Sequence, residues 1–153
     1  MASNSNQSIN QSVVIVPYPA FCLLSLYRTL RSVRPQVTVE DDFVLVIAVY
    51  ISHIAQDMMI APLSSADDAT IHLFMIRAPI SRLRLVRLYA AMMDGTAAAD
   101  PAVETARVSA FRLEPLDERQ GGVLMVDGEM VDYGPIQAQV LPSLARVMTL
   151  TKR

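Results

Sequence analysis

Nine consecutive residues, Phe43–Val44–Leu45–Val46–Ile47–Ala48–Val49–Tyr50–Ile51, carry no charge and are mostly β-branched or large and apolar. An amphipathic helix or a half-exposed strand would interrupt such a run with polar side chains on its solvent face. The run therefore reads as a strand buried on both faces, which requires a layer of structure on each side of its sheet. Glu40, Asp41 and Asp42 lead into it. Ile71–His72–Leu73–Phe74–Met75–Ile76–Arg77 reads as a second strand. Between the two, residues 52–70 hold Pro62, Ser64, Ser65, Asp67 and Asp68, which suggest a loop with one short turn.

Residues 81–94 carry the helical pattern. Ser81 can cap the first turn and Asp94–Gly95 can end the last. Leu85, Leu88, Tyr89 and Met92 fall at i, i+3, i+4 and i+7, one apolar stripe, with Arg84, Arg87 and Ala91 opposite. Such a stripe is core unless something hollow lies beneath it. After a small-residue linker over 96–106, Val108–Leu113 alternates with period two. Leu116–Gly122 then reads as a charged turn and Val123–Val126 as the return strand. Ile136–Leu141 alternates again, and Leu144–Leu150 could add a last strand.

One helix amid about six short strands predicts an α+β, mainly β chain: a β-sandwich-like domain with one main helix over about 81–94. Residues 1–12, rich in Ser, Asn and Gln, are expected to be a disordered leader. Residues 13–39 are expected to be an apolar, helical N-terminal extension, with a helix from Ala20 to Val33 stopped by Pro35. The main domain is expected over 40–150. Val13–Leu30 is largely apolar, but Pro17, Pro19, Ser25 and Arg28 leave it short of the roughly 20 apolar residues a bilayer-spanning helix needs.

Composition narrows the function. Lys and Arg number 13 against 15 Asp and Glu, so no positive excess exists to neutralise nucleic-acid phosphates. Hydrophobic residues make up 52% and charged residues 18%, the reverse of a disordered chain. The single Cys22 allows no internal disulfide and fits a reducing cytosol. His53 and His72 stand 19 residues apart with no carboxylate fixed at ligand spacing, so no metal site is expected from them. The five glycines make a phosphate-cradling glycine loop unexpected. Asp127–Gly128–Glu129, closing an apolar strand, is the most chemical-looking segment. Read as strand, it aims two carboxylates the same way, fit to hold Mg²⁺ or to accept a hydroxyl proton. Read as a turn, it is an ordinary Asp-Gly hairpin.

A longer pattern runs through these elements. Asp42–Phe43–Val44–Leu45–Val46 is followed by Ser52–His53, Met58 and Ala61–Pro62, then by Ile71–His72–Leu73–Phe74, Arg77–Ala78 and Ser81–Arg82. Arg87–Leu88, Ala91–Met92 and Gly95 come next. Ala110–Phe111–Arg112–Leu113–Glu114–Pro115, Val126–Asp127–Gly128–Glu129 and Gln137–Ala138–Gln139–Val140 close it. In order and spacing, residues 40–148 resemble the C-terminal domain of sphingosine kinases, lipid kinases related to diacylglycerol kinases. The resemblance implies a β-sandwich that holds a lipid tail and returns Asp127, Gly128 and Glu129 to a nucleotide. It implies transfer of the γ-phosphoryl of ATP, with Mg²⁺, to the primary hydroxyl of sphingosine or a related long-chain base. It also implies peripheral contact with membranes from the cytoplasm.

Positions matching the family's lipid tunnel are Leu45, Ile54, Met58, Leu85, Leu88, Tyr89 and Val103, with Tyr89 where phenylalanine is usual. Thr96 and Ala97 stand where the family has a histidine. The family's Gly-Gly-Asp-Gly nucleotide loop and catalytic aspartate belong to an N-terminal domain that these 153 residues do not contain. The expected function is therefore the lipid-binding part of such a kinase, inactive alone, from a truncated gene model or a short splice form. The rival expectations are a non-catalytic lipid-binding or interaction module and a fragment tethered to membrane through residues 13–30.

Overall fold

The structure, a computed structural model, describes residues 9–17, 37–116, 122–146 and 148. Its elements are β1 (Ile9–Pro17), β2 (Val37–Val49), β3 (His53–Ala55), β4 (Met58–Met59), β5 (Ile71–Arg77) and α1 (Arg82–Met93), then a 3-10 turn at Ala97–Ala99. β6 (Val103–Pro115), β7 (Leu124–Val126), β8 (Glu129–Val131) and β9 (Ile136–Gln139) follow. The main sheet runs β1-β2-β5-β6-β9, all neighbours antiparallel, and β1 also pairs with β6.

The two long strands change partners midway. β2 pairs with β1 up to Phe43 and with β5 from there to Val49. β6 pairs with β5 from Val103 to Val108 and with β1 from Val108 to Pro115. In β2 the register slips between Phe43 and Leu45, so a bulge sits where the strand switches. Bulges and bends that let a strand pass from one layer to another form the corners of sandwiches.

β5 is the strand buried on both faces. Ile71, Leu73 and Met75 pack with Phe43, Val108, Phe111 and Val140 on one side. Phe74 and Ile76 pack on the other with Val49, Ile60, Ile80, Leu88, Met92, Ala97 and Val103, beneath α1. Its ends are tied by charge. Arg77 bonds Asp41 of β2 and, at 2.8 Å, Glu104 of β6, and its guanidinium lies 5.8 Å from the Phe43 ring. Before β5, the Asp68 carboxylate accepts from the Thr70 backbone N–H at 2.9 Å and its hydroxyl at 2.7 Å, and lies 3.1 Å from His72 Nε2. Burial opposes ionisation of Asp68, but these bonds outweigh it and hold the carboxyl well below the usual range.

Helix α1 starts and stops as its sequence dictates. Ser81 Oγ accepts from the Arg84 N–H at 3.3 Å. At the other end Gly95 N–H donates to Met92 and Thr96 N–H to Ala91, a Schellman closure that needs the left-handed backbone Gly95 adopts at φ +71°.

Several expectations change. The run at 43–51 is not buried on both faces: only Phe43 and Val49 of β2 are buried, because α1 covers only part of that face. Glu40, Asp41 and Asp42 lie inside the strand, where Asp41 meets Arg77. The loop at 52–70 contains the small hairpin β3–β4. β7 does not return along β6; it pairs with β8, and β9 takes the place beside β6. Residues 144–146 are not strand. Residues 9–17, expected to close the leader and open the helical extension, form the strand β1 instead, since β-branched residues there find partners on both β2 and β6. The expected helix at 20–33 lies outside the described residues. Among the described residues no helix is long and apolar enough to cross a membrane.

Candidate functional site

Helix α1 lies over one face of the sheet, and four of the seven residues matched to a lipid tunnel, Met58, Leu85, Leu88 and Val103, meet at that layer. Leu88, 2% exposed, and Val103 are buried between helix and sheet. Met58 and Leu85 are half-buried at its margin. Leu45 is exposed, and its alternation with Ile47 and Val49, which both join the core under α1, puts it on the helix-side face of β2. Ile54 and Tyr89 are exposed as well, Tyr89 to 58%. Two of the seven are thus buried, two half-buried and three exposed. Ala97, one of the two residues that stand where sphingosine kinases have a histidine, is fully buried against the same core.

The Asp127–Gly128–Glu129 segment is elsewhere in kind. Asp127 at φ 50° and Gly128 at φ 88° are the two turn residues between Val126 and Glu129. Two consecutive positive φ angles make a type I′ hairpin, for which Asp-Gly is a favoured pair. The strand reading, with both carboxylates aimed one way, is thus replaced: Asp127 sits at the tip and Glu129 opens the return strand. Both are exposed. A Cβ placed on Gly128 would meet nothing within 4 Å, so the tip is open to approach.

A shallow groove of about 100 Å³ lies between β2, the end of β6 and the root of the β7–β8 hairpin, lined by Phe43, Leu45, Leu113, Val123, Leu124 and Tyr133. Leu45 therefore belongs both to the helix-side face and to the root of the hairpin. A second cleft, of about 420 Å³, opens where α1 begins, between Arg77, Pro79, Ser81, Arg84, Pro101 and Glu104. None of the expected site residues lines it. His53 accepts or donates with Ser52 Oγ at 2.8 Å through Nδ1, and His72 is held by Asp68.

Helix α1 carries a second apolar stripe beside the one its sequence spacing predicts. Leu83, Val86, Ala90 and Met93 are all exposed. They recur at steps of three, four and three, a pattern visible in the sequence but masked by the more regular inner stripe.

A scan against family models matches residues 2–149 to the YegS C-terminal NAD kinase beta sandwich-like domain. The chain belongs to this family. Its match begins at residue 2, upstream of the stretch from residue 40 that carries the sequence resemblance. The chain is also similar to sphingosine kinases, as the sequence resemblance implied. It is 46% identical to human sphingosine kinase 2 over 115 residues, 74% of this chain and 17% of that protein. It is 42% identical to sphingosine kinase 1 of Rattus norvegicus over 115 residues, 72% of this chain and 30% of that protein. With sphingosine kinase 1 of Caenorhabditis elegans it shares 35% over 103 residues, 66% of this chain and 21% of the relative. The chain thus matches less than a third of the length of these relatives.

Proposed function

We propose that this chain is the lipid-binding C-terminal part of a sphingosine kinase-like lipid kinase, which uses Mg-ATP to phosphorylate the primary hydroxyl of sphingosine or a related long-chain base. The observation that supports the reading is the 46% identity to human sphingosine kinase 2 over 74% of this chain, inside a family match that takes in both the helix-covered face and the Asp127–Glu129 hairpin.

The alkyl tail enters along exposed Leu45, Ile54 and Tyr89 and settles between α1 and the sheet. There it replaces contacts now made by Met58, Leu85, Leu88 and Val103. Each buried methylene contributes roughly 0.8 kcal/mol, so tail length governs affinity. Phosphoryl transfer depends chiefly on positioning and charge neutralisation. Asp127 and Glu129 supply acceptor oxygens at an exposed tip, suited to the magnesium-bound phosphates or to a sugar hydroxyl, and Gly128 leaves the approach clear. The phosphate cradle is not among the 153 residues, whose five glycines include no Gly-Gly-Asp-Gly. In this reading the chain works beside a nucleotide-binding domain, in the cytoplasm and in peripheral contact with membrane.

The test is transfer of labelled phosphate from ATP to sphingosine. The purified chain is assayed alone and joined to the N-terminal catalytic part of human sphingosine kinase 2. Product is expected only from the joined protein, with Asp127→Asn lowering turnover by on the order of 10²-fold. Product from the chain alone above a heat-killed control overturns the division of labour. A folded joined protein that binds sphingosine but forms no product leaves a non-catalytic lipid-binding module.

A further inference from the structure

The outer face of α1 is neither core nor an ordinary polar surface. Leu83 is 62% exposed, Val86 66% and Met93 50%, and Ala90 lies between them. At about 100° per residue the four fall within an arc of roughly 80° on the side away from Leu88 and Met92. Arg82 borders one edge of this stripe and Arg87 the other, both exposed.

The placement of the arginines runs against helix stability. The first turn holds no acidic residue, and Arg82, Arg84 and Arg87 crowd the N-terminal half. In the first turn Arg82 and Arg84 oppose the helix dipole, at a cost of typically about 0.3–1 kcal/mol each. Asp100 compensates Arg84 at 2.9 Å. Among the described residues no acidic side chain pairs with Arg82 or Arg87. The helix's own acid, Asp94, sits at the far end as the C-cap. A local rule broken in this way points to a use outside the fold.

We propose that this face of α1 is the contact with an anionic lipid surface: Leu83, Val86 and Met93 enter the acyl boundary while Arg82 and Arg87 meet headgroup phosphates on either side. An apolar stripe between flanking arginines is how a helix lies in the plane of a membrane interface. Tyr89, at the border of the stripe, has the apolar body and polar tip that suit headgroup depth. The assignment deepens the reading of peripheral membrane contact given above and supplies its geometry. The helix that covers the tail site on its inner face grips the lipid surface with its outer one, so a long-chain base leaving the bilayer has a short path to Tyr89.

The test uses the full chain and vesicles of phosphatidylcholine with or without phosphatidylserine, containing no long-chain base and no nucleotide, so it reads membrane contact independently of kinase activity. Wild type is expected to sediment with serine-lipid vesicles and much less with neutral ones. Arg82→Gln with Arg87→Gln is expected to lose on the order of tenfold in affinity for the anionic vesicles. Leu83→Ser with Val86→Ser is expected to lose about as much on both vesicle types, with the melting temperature unchanged because both side chains are exposed. Met130→Ser, which removes an exposed apolar side chain at the hairpin, should bind like wild type. Unaltered sedimentation of both double variants overturns the proposal. So does a double variant that changes the chain's oligomeric state while leaving vesicle binding intact, since the stripe would then be an interface with a second copy.

Discussion

Helix α1 and the β7–β8 hairpin are built from similarly apolar stretches and meet opposite fates. The stretch 82–93 places Leu88 and Met92 in the core, and the sheet beneath supplies matching side chains from β2, β5 and β6. The stretch 123–131 has Val123, Met125, Val126, Met130 and Val131 exposed, because among the described residues its strands pair only with each other. A two-stranded ribbon has no second layer to bury against, and by itself is marginal in water. Burial is thus set by the layer an element lands on, not by its own hydrophobicity. The packed layer carries stability, and the uncovered hairpin is free to present Asp127 and Glu129.

The contrast is sharpest at Leu88. Leu88→Ala removes a fully packed side chain and should cost about 2–5 kcal/mol, measured as a shift in the urea midpoint. A cost below about 1 kcal/mol would mean that the space under α1 is loosely filled, and the comparison would weaken. Asp68 tests the other side of β5. Its carboxyl is held below its ordinary value of 3.8 in the folded chain, so its contribution is complete above that value and drains away as pH falls below it. Asp68→Asn should cost about 1–3 kcal/mol near neutral pH and progressively less on acidification. An equal loss at both ends of the titration would show that shape rather than charge matters there.

Gly95→Ala should cost about 1–2 kcal/mol, because an L residue at φ +71° is strained and the new Cβ would come within 2.9 Å of Met59 Sδ. The sulfur can swing aside, so thermal melting should show a modest drop rather than collapse. Smallest of all, Met130→Ser on the hairpin should stay within about 0.5 kcal/mol of wild type. A larger loss would reveal a partner layer for the hairpin.

Much of this was legible from residue order. Ile71–Arg77 and the limits of α1 follow from β-branched content, the Ser81 cap and the Asp94–Gly95 stop. The resemblance to sphingosine kinases rested on short motifs in register, and the family match carries it. What could not be read was decided by distant partners. The run at 43–51 looks doubly buried because sequence does not say how far α1 extends over it. Val123–Val126 looks like the return of Val108–Leu113, but Ile136–Gln139 competes for the same edge and wins. Ile9–Pro17 forms a strand only because β2 and β6 both accept it. The outer stripe of α1 was overlooked because a helix with two apolar faces blurs the periodicity by which either is found.

The double pairing of β1 sets an order of events during synthesis. β1 can join β2 as soon as both have been made, but its other edge waits for β6, whose pairing residues come about 100 positions later. At typical elongation rates that wait lasts roughly 5–20 s. Throughout it the nascent chain carries a bare, β-branched edge able to pair with any other strand in reach. The newborn chain therefore passes through a window of stickiness that the finished fold closes, and chaperone protection matters most before Val108–Pro115 leaves the ribosome.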